Sequence, residues 1–209
     1  MTLKESIKAL HDLQGYFALK RLAVWAPHLG LDHWQQMVAV QALCGGVIQM
    51  SLLTHLFLPE DLVSETLLYH ASLLPRLEKF KVSAAPLIKS LSAKGSHGFR
   101  SLRSLGVPNE NLLLCFLSYS IPDLKVLKVR GMGQRSLVTL ARRLPDLREV
   151  YIEGTGFSSP EIFVLGACFQ LEEIEIRTQD PLEMEDLELD RFRAMFRNLC
   201  SLSIAIRDN

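Results

Sequence analysis

The chain has 209 residues, enough for one substantial domain or two small ones, with 48% apolar residues and 8% aromatics. Lysine plus arginine balances aspartate plus glutamate at 23 each, so the chain lacks the basic footprint that a nucleic-acid or membrane-surface binder uses against phosphates. The four cysteines, Cys44, Cys115, Cys168 and Cys200, are too far apart for a zinc knuckle or a redox dithiol; they read as reduced, buried apolar side chains of a cytoplasmic or nuclear protein.

Met1 to Leu10 carries Lys4, Glu5 and Lys8, which predicts a polar N-terminal helix over residues 1–14 rather than a signal peptide. From His33 to Pro59 there is no Asp, Glu, Lys or Arg, so this stretch has to be tested as a membrane span. Gln35, Gln36, Gln41, Gln49, Ser51, Thr54 and His55 are costly in hydrocarbon, and the second half of the stretch fits a repeat. No span and no membrane partner are expected.

The repeat reads apolar-x-x-apolar-x-x-apolar-x-apolar. It begins with Tyr16-Leu19-Leu22-Val24, Met50-Leu53-Leu56-Leu58, Leu74-Leu77-Phe80-Val82 and Phe99-Leu102-Leu105-Val107. It continues with Ile121-Leu124-Leu127-Val129, Leu144-Leu147-Val150-Ile152, Cys168-Leu171-Ile174-Ile176 and Phe196-Leu199-Leu202-Ile204. Successive units end 34, 24, 25, 22, 23, 24 and 28 residues apart, and Pro75, Pro122 and Pro145 share one column. Each unit closes in a short strand that turns two apolar side chains inward. Apolar helical segments separate the strands: Leu62 to Leu73, Leu112 to Leu117, Leu137 to Leu144, and Ile162 to Cys168. Ser159-Pro160-Glu161 and Pro59-Glu60-Asp61 read as helix starts.

Alternating strands and helices define an α/β chain. A doubly wound sheet or a barrel needs βαβ units of 30 or so residues and strands apolar on both faces. Here the intervals are shorter, and strands such as Glu173 to Arg177 carry polar residues on one face. A solenoid fits better.

Leu124-Lys125-Val126-Leu127-Lys128-Val129 and Leu171-Glu172-Glu173-Ile174-Glu175-Ile176 resemble the Leu-x-x-Leu-x-Leu core of the leucine-rich-repeat family. The resemblance covers nearly the whole chain. It implies a single domain over 1–209 of about eight irregular repeats, a horseshoe with parallel strands on the concave side and helices on the convex side. The family's usual Asn is missing: its column reads Pro27, Asp61, Ala85, Glu110, Met132, Thr155, Gln179 and Arg207. Without that side-chain ladder, the turns have to satisfy their backbone groups in other ways. Irregular repeats with Leu-Pro-x-Leu also look like the substrate-binding regions of F-box proteins, fungal ones especially, which recruit proteins to a ubiquitin ligase. No F-box is present, Met1 to Leu13 being too short for one. Attachment to a ligase therefore calls for a further N-terminal part or an independent partner. The end at Asn209, just after a strand, is expected to lack a capping segment.

Few residues suggest chemistry. Gly131-x-Gly133-x-x-Ser136 stands where a dinucleotide-binding turn would, but its third glycine is missing. Gly154 and Gly156 take the same positions one repeat later, so these glycines read as repeat turns. The histidines form no His-x-x-x-His pair and have no cysteine nearby, and His28 and His33 read as flanking a helix start beside Trp34. The acidic run Glu183, Glu185, Asp186, Glu188 and Asp190 reads as a solvated loop. No cofactor, metal or catalytic set is expected.

The informative surface follows from the register, because residues between and beside the core positions face solvent. One column runs Arg21, His55, Lys79, Ser104, Val126, Glu149, Glu173, Ser201; the central one Ala23, Phe57, Lys81, Gly106, Lys128, Tyr151, Glu175, Ser203. The third runs Trp25, Pro59, Ser83, Pro108, Arg130, Glu153, Arg177, Ala205. Arg21, Lys79 and Lys81 with Trp25 and Phe57 make the early part basic and aromatic, whereas Glu149, Glu153, Glu173 and Glu175 make the later part acidic. Two readings are open: the columns bind a protein segment of complementary bipolar charge, or Arg130, Glu153 and Arg177 pair with one another and bind nothing. The function expected is partner recognition; the alternative is a free-standing scaffold or inhibitor without ligase linkage.

Overall fold

The computed structural model describes residues 12, 17–24, 33–83, 98–155, 157, 159–178 and 186–206. Two compact units are present, Met1–Leu102 with Ser118–Pro122, and Arg103–Leu117 with Asp123–Asn209. The expected N-terminal helix, apart from Asp12, lies outside the described residues, as do Trp25, His28 and His97.

In the first unit, β1 (Arg21–Ala23) is followed by α1 (His33–Gln49), β2 (His55–Pro59), a 3₁₀ turn at Glu60–Leu62, α2 (Glu65–Ser72) and β3 (Lys79–Ser83). The strands pair parallel, β1 with β2 and β2 with β3, while α1 packs on α2. The second unit runs β4 (Ser104–Val107), α3 (Glu110–Leu117), β5 (Val126–Met132), α4 (Gln134–Arg143) and β6 (Glu149–Gly154). It continues with α5 (Ser159–Phe163), a 3₁₀ turn at Val164–Ala167, β7 (Glu173–Thr178), α6 (Asp186–Met195) and β8 (Ser201–Ile206). Its strands also pair parallel in chain order, β4 through β8. The result is an α/β architecture in which helices alternate with parallel strands.

The sequence motif has a local cause. Its first two apolar positions bracket a tight turn, in which Leu53, Leu147, Leu171 and Leu199 donate their N–H to the carbonyls of Met50, Leu144, Cys168 and Phe196 three residues back. The proline column falls on the second residue of that turn, where a pre-set φ near −65° is an advantage and no N–H is needed. One carbonyl just before each of several strands then accepts two N–H groups from the following repeat. Lys20 O takes Thr54 and His55, Lys125 O takes Arg148 and Glu149, and Glu172 O takes Cys200 and Ser201. Backbone thus supplies the inter-repeat ladder that an Asn side chain would otherwise build.

The apolar columns make the core. Between Met50 and Ile176 no core position is more than 6% exposed. At the far end Leu202 is 37% exposed, because β8 has only β7 beside it among the described residues.

Several local expectations are corrected. The helix after β2 is capped by Ser64, whose Oγ accepts from Leu67 N at 3.1 Å, and not by Pro59-Glu60-Asp61, where β2 ends at Pro59 and a 3₁₀ turn follows at Glu60–Leu62. Part of the acidic run is helix and not loop: Asp186–Met195 is α6, anchored by Phe192, whose ring lies 6.0 Å from Phe163 and 4.3 Å from Phe196. Cys44, Cys115 and Cys168 are buried thiols as expected, but Cys200 is exposed. The glycine equivalence is displaced by one residue, since Met132, not Gly131, pairs with Gly154. A bulge between Val129 and Met132 absorbs the extra residue, with Gly131 at φ 56°, a backbone conformation open to glycine without strain.

Candidate functional site: the solvent-facing strand columns

The three outward columns are in register strand by strand within each unit. In the first unit Arg21 pairs with His55 and His55 with Lys79, while Ala23 pairs with Phe57 and Phe57 with Lys81. In the second, Val126, Glu149, Glu173 and Ser201 form one row, and Gly106, Lys128, Tyr151, Glu175 and Ser203 the next. The side chains between these rows are the buried core, so alternation along each strand puts the columns on the opposite face. Pro59 departs from this: it is buried where β2 runs into the 3₁₀ turn.

On the first unit, Arg21, Lys79 and Lys81 are exposed, and none of the three forms a salt bridge with a carboxylate among the described residues. His55 and Phe57 are half-buried between them, their rings edge-to-face at 6.2 Å. Thr54 Oγ1 lies 2.8 Å from His55 Nδ1. Burial, then the charges of Arg21 and Lys79, hold the imidazole pKa below its ordinary value, while Glu78 pulls the other way. This face is cationic with an aromatic centre.

The second unit centres on Tyr151. Its hydroxyl donates to Glu149 Oε2 at 3.3 Å, and Lys128 Nζ sits 3.8 Å from its ring centroid. Glu149 and Glu173 stand directly opposite on neighbouring strands, an arrangement of like charges that is unfavourable by itself. Partial burial first, then hydrogen bonding to and the negative charge of the flanking Glu173 and Glu149 carboxylates, which favour the protonated phenol, push its pKa well up. Arg130 Nε approaches Glu153 Oε2 at 3.7 Å, the two being brought together even though the bulge breaks the ladder between their strands. Arg177 pairs within its own strand, Nη2 to Glu175 Oε1 at 2.7 Å. Of the expected set, Arg130 and Glu153 are paired, Glu153 faces Arg177 in register, and Arg177 forms its ion pair with Glu175.

No protein-family model matches the sequence, and no curated protein matches it. Function has to be argued from the site itself.

The glycine turn illustrates this. Gly133 N–H, at the N-cap of α4, donates to Glu110 Oε2 at 3.0 Å, and Ser136 Oγ donates to Glu110 Oε1. The anion seat where a dinucleotide phosphate would lie at a helix N-terminus is filled by the chain's own carboxylate. The residue pattern alone did not reveal this role, although Glu110 stands in the column where the leucine-rich-repeat pattern that the sequence resembles carries Asn; the clue was a polar acceptor at that position. Asn109 acts similarly on its own helix, its Oδ1 accepting from Leu112 N at 2.9 Å. Among the described residues no group of three or more His, Cys, Asp or Glu could hold a metal ion, and no helix is long and apolar enough to cross a membrane.

Proposed function

We propose that the chain is a non-catalytic protein–protein interaction module of leucine-rich-repeat type, whose concave strand columns meet a protein partner in the manner of F-box substrate-recognition repeats. The observation that carries this reading is the in-register row Lys128–Tyr151–Glu175, with Glu149 and Glu173 beside it: a tyrosine among charges on an otherwise regular sheet face. Tyrosine and arginine concentrate binding energy at protein interfaces, and paired carboxylates gain from a basic group on the partner. On the other unit, Arg21, Lys79 and Lys81 around Phe57 suit an acidic stretch.

Affinity capture with mass spectrometry identifies the partner, and the double variant Lys81→Glu/Lys128→Glu tests the surface. Loss of capture by about tenfold or more is expected from reversing charges at a complementary interface. Unchanged capture counts against the columns as the contact face. Recovery of a ligase adaptor in the same complex selects ubiquitin-ligase substrate recognition; a partner without an adaptor selects the free-standing scaffold or inhibitor.

A further inference from the structure

Among the outward side chains of the first unit, His55 is the one whose charge changes near neutral pH. The strand register sets it between two cations, Arg21 on β1 and Lys79 on β3, with Lys81 in the next column and the Phe57 ring edge-to-face beside it. Lys20 and Glu78 stand just ahead of β1 and β3. Two hydrogen bonds fix the imidazole tautomer. Thr54 Oγ1 has a single hydrogen, which it donates to the Lys20 carbonyl at 2.9 Å. Towards His55 Nδ1, 2.8 Å away, that oxygen can then only accept, so Nδ1 carries the ring's proton. Nε2 is left as the nitrogen that titrates, and it hydrogen-bonds no described residue. A neutral ring offers a lone pair at Nε2, and a charged ring offers a donor.

Partial burial, then Arg21 and Lys79, hold this imidazole below its ordinary pKa, and Glu78 opposes them. A carboxylate set against the row offsets both cations and accepts from a protonated Nε2, so each effect favours the charged ring. We propose that the Arg21–His55–Lys79 row seats the carboxylates of an acidic segment of the protein partner, and that His55 Nε2 takes one proton from solvent as a carboxylate docks. This seat presupposes that the strand columns are the partner-binding face. Charge complementarity selects its occupant: Arg21, Lys79 and Lys81 form no salt bridge among the described residues. Arg21 and Lys79 also lie two strand spacings, about 10 Å, apart. That span suits successive acidic side chains of one segment better than a single small anion. Binding strengthens as pH falls through the imidazole pKa of the complex, and levels off below that of the free chain.

Fluorescence anisotropy of a labelled hexa-aspartate peptide with the full chain tests the seat, at constant ionic strength from about pH 8 to about pH 5.5, where the peptide stays ionised. Affinity is expected to rise about threefold or more over that range, within the limit of about tenfold per pH unit for one proton. A hexa-asparagine peptide does not bind. His55→Gln, which cannot take the proton, flattens the profile, and Lys81→Gln weakens binding at every pH. In an NMR titration of the parent chain, saturating hexa-aspartate raises the His55 pKa, a measurement that needs no variant. Absence of binding, equal binding across the range, an unmoved His55 pKa, or a pH dependence that survives His55→Gln overturns the seat. The strand-column reading has a separate test, since it fails when charge reversal at Lys81 and Lys128 leaves partner capture unchanged.

Discussion

Glu110→Ala tests how successive repeats are fastened. Gly133 has no side chain to cap α4, and the Glu110 carboxylate, supplied one repeat earlier, does so instead. The same group is the acceptor for Ser136 Oγ, on a residue only 2% exposed. Truncation leaves a buried hydroxyl without that acceptor, at about 1–3 kcal/mol. It also removes a negative charge from a helix N-terminus, at about 0.3–1 kcal/mol. The sum, about 1–4 kcal/mol, corresponds to a fall in Tm of about 3–16 °C for a chain of this length. Urea unfolding measures the loss, and a double-mutant cycle with Ser136→Ala isolates the shared bond, with an expected coupling of about 1–2 kcal/mol. Hydrogen exchange at the amide of Gly133 should accelerate in parallel. A Glu110→Ala loss below about 0.5 kcal/mol, or strict additivity with Ser136→Ala, refutes the clasp.

Other expectations are as direct. Phe169 holds the proline position of its turn, and Cys168 before it, at φ −89° and ψ 75°, lies near the conformation of Leu144, which precedes Pro145 in the equivalent turn at φ −129° and ψ 60°. Phe169→Pro is therefore expected to stabilise by about 0.4–1 kcal/mol in thermal or urea unfolding, and a loss would show the turns to be inequivalent. The depressed imidazole pKa of His55 means that the unfolded chain binds the proton first. Its contribution to stability is thus full above the ordinary histidine value, declines as pH falls through that value, and levels off below the folded pKa. Arg21→Gln and Lys79→Gln should each raise the His55 pKa in an NMR titration; no rise from either removes the electrostatic account. Finally, burial pushes the Cys44 and Cys168 thiols up to about 11. A thiol probe at neutral pH should label Cys200 rapidly and the three buried cysteines only on unfolding. A second fast thiol contradicts the packing.

By itself the sequence determined the repeat register, the parallel strand order that follows from it, and the face on which each column lies. These depend on local rules: a two-residue side-chain period in strands, and a tight turn that accepts proline at Pro122 and Pro145. Leu127, Val150 and Ile174 became paired neighbours because their spacing permits little else. Tertiary structure alone decided the contacts among the outward groups. That Arg177 reached Glu175 on its own strand depended on side-chain torsions that no periodicity encodes, and Arg130 met Glu153 across a bulge that one glycine made possible. The acidic run became helical from Asp186 where Phe192 packs on Phe196 and on Phe163, the latter a partner from the preceding repeat that no local pattern marks. Glu110 likewise became a cap only when folding carried the next turn to it, since a hydrogen bond across 23 residues is a property of the packed chain.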